Sequence, residues 1–231
     1  MVTSYKSWKE QGYVSEFLSL KCAGDVLNVC SPLGSKAEKE ITEAMAIIRR
    51  LRRLVLNRPM KYHVLDLCSG NALVPIIAIH LLPILSSAAV DKRERNRQWH
   101  RAQRFTYHKM DICSPDVYSL VDKNTIITGV HPCQELASRT VEIYRNSQAA
   151  GLLLMPCCIG NIKIRLPQFI LERLGRYLVW TWQLADKAGG SFSIDNKVLS
   201  PKNAIVSAWK RRPSIEVFKE LCADLTSQKP L

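Results

Sequence analysis

Tyr62-His63-Val64-Leu65-Asp66-Leu67-Cys68-Ser69-Gly70-Asn71-Ala72 is the stretch whose reading decides the fold. Its first six residues are mostly apolar and read as a short strand, the next five are small or polar and read as a tight turn, and apolar residues 73–85 then read as a helix. The alternation continues outward. Residues 87–91 are a second short strand ending in Asp91, residues 92–103 a charged helix, and residues 104–108 a third strand running into Met110-Asp111. Residues 125–130 are a strand ending at His131-Pro132-Cys133, and residues 135–146 are a helix. Residues 151–155 are a wholly apolar strand of the kind buried on both faces, ending at Pro156-Cys157-Cys158. Strand and helix in turn imply a parallel sheet covered by helices on both sides and joined by right-handed crossovers.

Further along, residues 167–188 read as one helix with Leu171, Leu174, Leu178 and Trp182 on a single stripe, ended by Gly189-Gly190. Strands at 192–194 and 204–209 bring the expected sheet to seven, and a terminal helix is expected over 214–225. Upstream, residues 1–60 read as a helical N-terminal extension to the domain formed by residues 61–231. Within the extension, Ile41, Met45, Ile48, Leu51 and Val55 recur at spacings of three and four over 37–56, and Ser35 with Glu38 suggests a capping box. The polar face carries Arg49, Arg50, Arg52 and Arg53, which suits either an RNA-contacting patch or a solvated helix end. Internal repeats and a linker rich in Gly, Ser or Pro are absent from the sequence.

The 231 residues carry 33 Lys+Arg against 20 Asp+Glu, a formal charge of +13, and 47% of them are apolar. That apolar share excludes a disordered chain and fits one globular core. The positive surplus attracts polyanions, so nucleic acid is the leading partner, with charge serving only solubility as the competing reading. Residues 73–85, the longest apolar stretch, are interrupted by Pro75, His80 and Pro83 and fall short of the roughly 20 that span a bilayer, so no membrane association is expected. With Lys6, Lys9 and Glu10 near the start, no secretory signal pattern is seen and a cytoplasmic protein is expected. Eight cysteines include the adjacent Cys157 and Cys158 but no C-x-x-C pair or zinc-ribbon spacing. Free thiols in a reducing compartment and no metal are therefore expected, metal binding at the adjacent pair being the minor reading.

In an open α/β sheet, ligands bind beyond the carboxyl ends of the strands, so the residues there are the candidates for chemistry. After the first strand come an acid, Asp66, and Gly70, whose missing Cβ lets a ligand approach the backbone. Neither the G-x-G-x-x-G fingerprint nor the Walker pattern is present, which disfavours a phosphate cradle. Asp91, 25 residues after Asp66, stands where a nucleotide-binding fold places an acid for two ribose hydroxyls. Asp111 is positioned to receive an adenine amine. A lone Asp after a strand also suits a helix cap, and it is the set of three at successive strand ends that points to a ligand.

With D-L-C-S-G-N-A at 66–72, V-D at 90–91 and M-D-I at 110–112, the chain resembles the class I S-adenosylmethionine-dependent methyltransferases, over roughly residues 60–210. Those enzymes have a Rossmann-like fold. More narrowly, G-V-H-P-C at 129–133, L-L-L-M-P-C-C at 152–158 and S-P-K-N-A-I at 200–205 are similar to a subgroup with H-x-C and P-C-C signatures. That subgroup includes acceptor-stem tRNA 2′-O-methyltransferases and several methyltransferase-like proteins. The resemblance implies S-adenosylmethionine as cofactor, with Asp66, Cys68 and Gly70 bordering its methionine part, Asp91 and Lys92 at the ribose, and Asp111 and Ile112 at the adenine. It implies His131, Pro132 and Cys133 around the transferred methyl group. Two departures stand out: Ala72 and Gln134 occupy positions where relatives commonly have glycine.

His131, with a ring that titrates near neutrality, suits a general base for a hydroxyl acceptor, or else a structural residue bonded to the backbone. Cys157 and Cys158 are expected to wall the pocket, Cys157 toward the substrate. The acceptor expected is structured RNA, tracked by Arg93, Arg97 and Arg101 within the basic run Lys92, Arg93, Arg95, Arg97, Arg101 and Arg104, and by a second group, Lys202, Lys210, Arg211 and Arg212. Trp99, Phe105, Tyr107 and Trp209 are either base-stacking platforms or core. Because no RNA-binding module accompanies the domain, selectivity is expected from RNA shape or from a partner protein. The alternatives are a non-catalytic cofactor- or RNA-binding subunit of a methyltransferase complex, and a protein methyltransferase.

Overall fold

A computed structural model describes residues 12–161 and 167–210. The seven strands are β1 (His63–Leu67), β2 (Ser86–Asp91), β3 (Phe105–Lys109), β4 (Thr125–Val130), β5 (Gly151–Met155), β6 (Ser191–Ile194) and β7 (Ala204–Trp209). They form one sheet in the order β3-β2-β1-β4-β5-β7-β6, with β1 to β5 parallel and β7 antiparallel to both β5 and β6. The strand order reverses between β1 and β4, so a crevice is expected beyond their carboxyl ends. This is the seven-stranded, mostly parallel α/β fold read from the sequence.

Helices α1 (Tyr13–Leu18), α2 (Ala23–Cys30), α3 (Ala37–Val55) and α4 (Leu73–Leu81) lie on one face of the sheet. They share a single core in which Phe17, Val26, Met45, Leu51, Ile76 and Ile126 are fully or almost fully buried. On the other face, α5 (Glu135–Asn146) and α7 (Arg176–Ala188) pack Val141, Tyr144, Trp180 and Leu184 against Leu65, Leu67, Leu152 and Leu154. Each β1 and β5 residue therefore has a helix above or below it, which is why both strands are apolar at consecutive positions. Tyr13 Oη and Arg50 Nη1 both donate to Asp195 Oδ2, at 2.7 and 2.9 Å, tying α1 and α3 to the chain just after β6. No described helix is long and apolar enough to cross a membrane.

Three local expectations are corrected. The start of α3 is not a Ser35 capping box: Lys36 is the N-cap with no side-chain cap bond, and a backbone turn closed by Ala37 N–H to Gly34 O at 3.0 Å begins the helix. Residues 92–103 form no α-helix, only a 3-10 turn at Trp99–Arg101. That segment has no apolar stripe to bury, and its polar groups bond outward, with Arg93 N–H to Asp91 and Glu94 to Lys109. The helix expected over 167–188 is two, α6 (Gln168–Leu174) and α7, broken at Gly175 with φ +74° and ψ 140°. The break resets the helical phase, so Leu174 and Trp182 are exposed while Val179, Trp180 and Leu184 are buried. The terminal helix expected over 214–225 lies outside the described residues.

Candidate active site

The loops that leave β1 and β4 face each other across the strand-order reversal. Both are built from left-handed backbone: Cys68 (φ 58°), Gly70 (φ 55°) and Ala72 (φ 56°) in the first, His131 (φ 61°) and Gln134 (φ 46°) in the second. Non-glycine residues rarely adopt such conformations, and a concentration of them marks a site held by its surroundings. Ala72 and Gln134, where the sequence resemblance leads us to expect glycine, are among them, and glycine adopts such φ at no steric cost.

Between these loops and the N-terminal part of α3 lies a cleft of about 240 Å³ lined by Glu40, Glu43, Asp66, Cys68, Ser69, Gly70, Asn71, Arg93, Arg95 and His131, among others. Of the residues expected from sequence, Asp66, Cys68, Gly70, Arg93 and His131 line it. Asp91 sits directly behind, with Oδ2 accepting Gly70 N–H and Oδ1 accepting Arg93 N–H, both at 2.9 Å. Lys92 and Asp111 are outside the lining and pair with each other at 3.1 Å. The Cys113 backbone N–H and the Lys92 ammonium hold the Asp111 carboxyl below its ordinary value. Ile112 is 3% exposed within the core and outside the cleft lining, and its carbonyl accepts from Arg139 Nε on α5. Pro132 is buried against Gly129, and Cys133, although exposed, lies outside the cleft.

Asp66 is completely enclosed. One oxygen accepts from Ser69 Oγ and the other from Thr128 Oγ1 at 2.6 Å, so this acid fastens the β1 loop to β4. Burial, opposed by those two hydroxyls and reinforced by Asp91, pushes its pKa up to about 6. Cys68 is pushed up to about 12, chiefly by burial and then by Asp91 and Asp66, and is a neutral thiol in the cleft wall.

The residue that sequence reasoning missed is Glu43. Its side chain is 0% exposed, and Oε1 lies 2.5 Å from His131 Nε2 and 2.7 Å from Lys39 Nζ. Burial alone would raise the Glu43 carboxyl, yet His131 and Lys39 outweigh it and hold the carboxyl below its ordinary value. A carboxylate accepts only, so the short contact requires Nε2 of His131 to carry a proton. In the neutral ring this leaves Nδ1 as the acceptor, and Nδ1 is buried without a partner among the described residues. A signal was present: Glu43 stands four residues before the buried Ile47, an acid on the apolar face of an amphipathic helix. Glu40 on the same helix accepts from Asn71 Nδ2 at 2.8 Å, and Asn71 Oδ1 in turn accepts from Arg97 Nη2 at 3.0 Å.

The match to a family model decides the identity: the methyltransferase domain model covers residues 36–165, more than half of the chain, from α3 to just beyond β5. The chain belongs to the methyltransferase domain family. S-adenosylmethionine is the cofactor that its sequence leads us to expect. No curated protein sequence matches it significantly. Among solved structures, it is similar to magnesium protoporphyrin IX methyltransferase from Synechocystis PCC 6803 with bound S-adenosylhomocysteine, at 12% identity and TM-score 0.47, covering 86% of this chain and 98% of that one. It is also similar to the antibiotic-resistance methyltransferase Kmr, at 14% identity and TM-score 0.41, covering 71% and 93%. A third similar structure is TrmK of M. capricolum with S-adenosylhomocysteine, at 8% identity and TM-score 0.40, covering 73% of each chain.

The residues of this methyltransferase domain fit the cofactor on two counts. Buried polar atoms without a partner gather at the cleft, namely Glu43 Oε2, His131 Nδ1 and Arg95 Nε, with Arg97 Nε beside them. Such atoms are costly to leave unmet and mark where a polar ligand belongs. Asp91 has one acceptor site on each oxygen taken by a backbone amide and a second on each left for a diol. Arg93 and Arg95 line the cleft, and Arg101 instead bonds Gln98 at 2.8 Å on the exposed 3-10 turn. Trp99 stacks on Tyr107 at 5.2 Å and tilts against Phe105 at 5.5 Å, so these rings pack on one another. The second basic group does not form one patch. Lys202 lies over the Tyr177 ring near the start of β7, whereas Lys210 follows its far end and bonds the carbonyls of Arg145 and Ser147. Arg211 and Arg212 lie outside the described residues.

Proposed function

We propose that this methyltransferase domain modifies structured RNA, with His131 as the base that receives the acceptor's proton. The observation that carries the reading is the Glu43–His131 contact at the cleft edge, which fixes the ring by Nε2 and leaves Nδ1 as its acceptor. Bound S-adenosylmethionine supplies a methyl group on a sulfonium, open to in-line displacement by a nucleophile about 3 Å away. Asp91 holds the ribose hydroxyls, and the Gly70 backbone, where a Cβ would meet nothing nearer than Arg95 at 3.9 Å, allows close approach. Glu43 orients the His131 ring and stabilises its charge when Nδ1 takes up a proton. Lys39 shares the same Glu43 oxygen, at 2.7 Å, and so helps to hold that carboxylate in place beside the ring.

Support for RNA comes from the +13 charge and from exposed Lys92 and Arg93 at the cleft mouth. H-x-C at 131–133 and P-C-C at 156–158 add their similarity to a subgroup with acceptor-stem tRNA 2′-O-methyltransferases. A partner protein supplies selectivity where the domain itself has no RNA-binding module. The test is transfer of labelled methyl from S-adenosylmethionine to fractionated total RNA and total protein. Label in RNA that disappears after RNase, with RNA binding that weakens steeply as salt rises, is expected. Label confined to protein, or a flat salt response, contradicts the RNA assignment.

A further inference from the structure

Just outside the cleft, where β4 and β5 end side by side, three thiols meet. Cys133 Sγ lies 3.3 Å from Cys157 Sγ, Cys157 Sγ 3.5 Å from Cys158 Sγ, and Cys158 Sγ 3.7 Å from Cys133 Sγ. Residue spacing conceals the cluster, because Cys133 is 24 residues from Cys157 and the two meet only through the parallel pairing of their strands. All three are free, and none lines the donor cleft.

The spacing discriminates between coordination geometries. Sulfurs held about 2.3 Å from a tetrahedral zinc ion lie about 3.8 Å apart, whereas a flat three-coordinate ion with the same bond length needs about 4.0 Å. The observed triangle of 3.3 to 3.7 Å is nearer the tetrahedral value on every edge. We propose that Cys133, Cys157 and Cys158 bind one zinc(II) ion as three thiolates, leaving its fourth position open to water or another ligand.

Binding replaces the thiol protons with the metal and releases them to solvent. In the protein without metal, the Cys133 and Cys157 thiols rest on the His131 carbonyl, each with Sγ 3.6 Å from the oxygen. Three protein ligands and an open position is the arrangement of zinc sites that act on a ligand, whereas four protein ligands close a structural site. The assignment does not depend on the identity of the methylated substrate.

Cobalt(II) titration of the reduced full-length protein, followed by zinc(II), tests the site. One cobalt per chain is expected, with sulfur-to-metal charge transfer and the intense visible bands of tetrahedral coordination, all displaced by zinc. Cys133→Ser and Cys158→Ser, both at exposed positions, should each weaken cobalt binding by about tenfold or more while the thermal midpoint without metal stays near that of the parent. Cys113→Ser, exposed and outside the cluster, should bind like the parent. Absence of charge-transfer bands, or bands of parental strength in both Cys133→Ser and Cys158→Ser, overturns the proposal. The readout needs no methyl transfer, so failure here and failure of the RNA reading are distinguishable.

Discussion

The two ends of the sheet are built on opposite terms. At the carboxyl end, five residues with positive φ, an enclosed acid and several unpartnered polar atoms crowd around one cleft. At the amino end, polar groups are answered and packing is close: His63 Nδ1 meets Ser86 Oγ at 2.7 Å, and Thr125 Oγ1 donates to Asp122 at 2.7 Å. There the Trp209 ring fills the space above Gly151, where a Cβ would come within 1.8 Å of it. Same sheet, same strands, yet one end stores strain and unmet polarity while the other supplies stability. Substitutions at the two ends should therefore separate activity from folding.

The largest effect is expected from His131→Ala at the carboxyl end. Removing a positioned base should lower kcat on the acceptor by roughly 100- to 10,000-fold with little change in donor affinity. A loss that appears only in KM would mean the ring binds and does not take the proton. At the amino end, Gly151→Ala should cost about 1–3 kcal/mol in chemical denaturation, because the new methyl overlaps the Trp209 ring and forces it to shift. Its donor affinity per folded molecule should be unchanged.

Next comes pH. Asp66 has a folded pKa of about 6 against 3.8 for the exposed side chain, so the folded state holds its proton more tightly. Its contribution to stability is fully present below about 3.8 and is lost as pH rises through about 6, a change of about 3 kcal/mol. Asp66→Asn should flatten that part of the stability profile, measured by denaturant melts across the range. The smallest effects concern strain. Gln134→Gly should stabilise by about 1 kcal/mol, since φ 46° with ψ −113° is a region natural to glycine. Ala72→Gly should gain less, because its buried methyl is lost as the αL strain is relieved.

Legibility in the sequence follows the same division. Strands β4, β5 and β7 are read to the residue, because runs such as Thr125–Val130 and Gly151–Met155 are apolar on both faces and bounded by turn residues. Segments without an apolar stripe are misread, as at 92–103, and so is a helix whose phase a single glycine resets at Gly175. In the site, strand-end residues such as Asp66, Gly70, Asp91 and His131 are legible because the fold rule says where they must lie. The pairing of Glu43 and Lys39 with His131 is not: Glu43 stands out as an acid on the apolar face of α3, but its approach to His131 depends on how α3 crosses the sheet. The meeting of Cys133 with Cys157 and Cys158 is hidden for the same reason, being set by strand neighbours 24 residues apart.

Calorimetric titration with S-adenosylmethionine, comparing the parent with Asp91→Asn, tests the central claim most directly. One donor site per chain is expected, weakened by about tenfold or more when the carboxylate's charged hydrogen bonds to the ribose are lost. Binding of equal strength in the two proteins would place the donor away from the β1–β2 crevice and contradict the account.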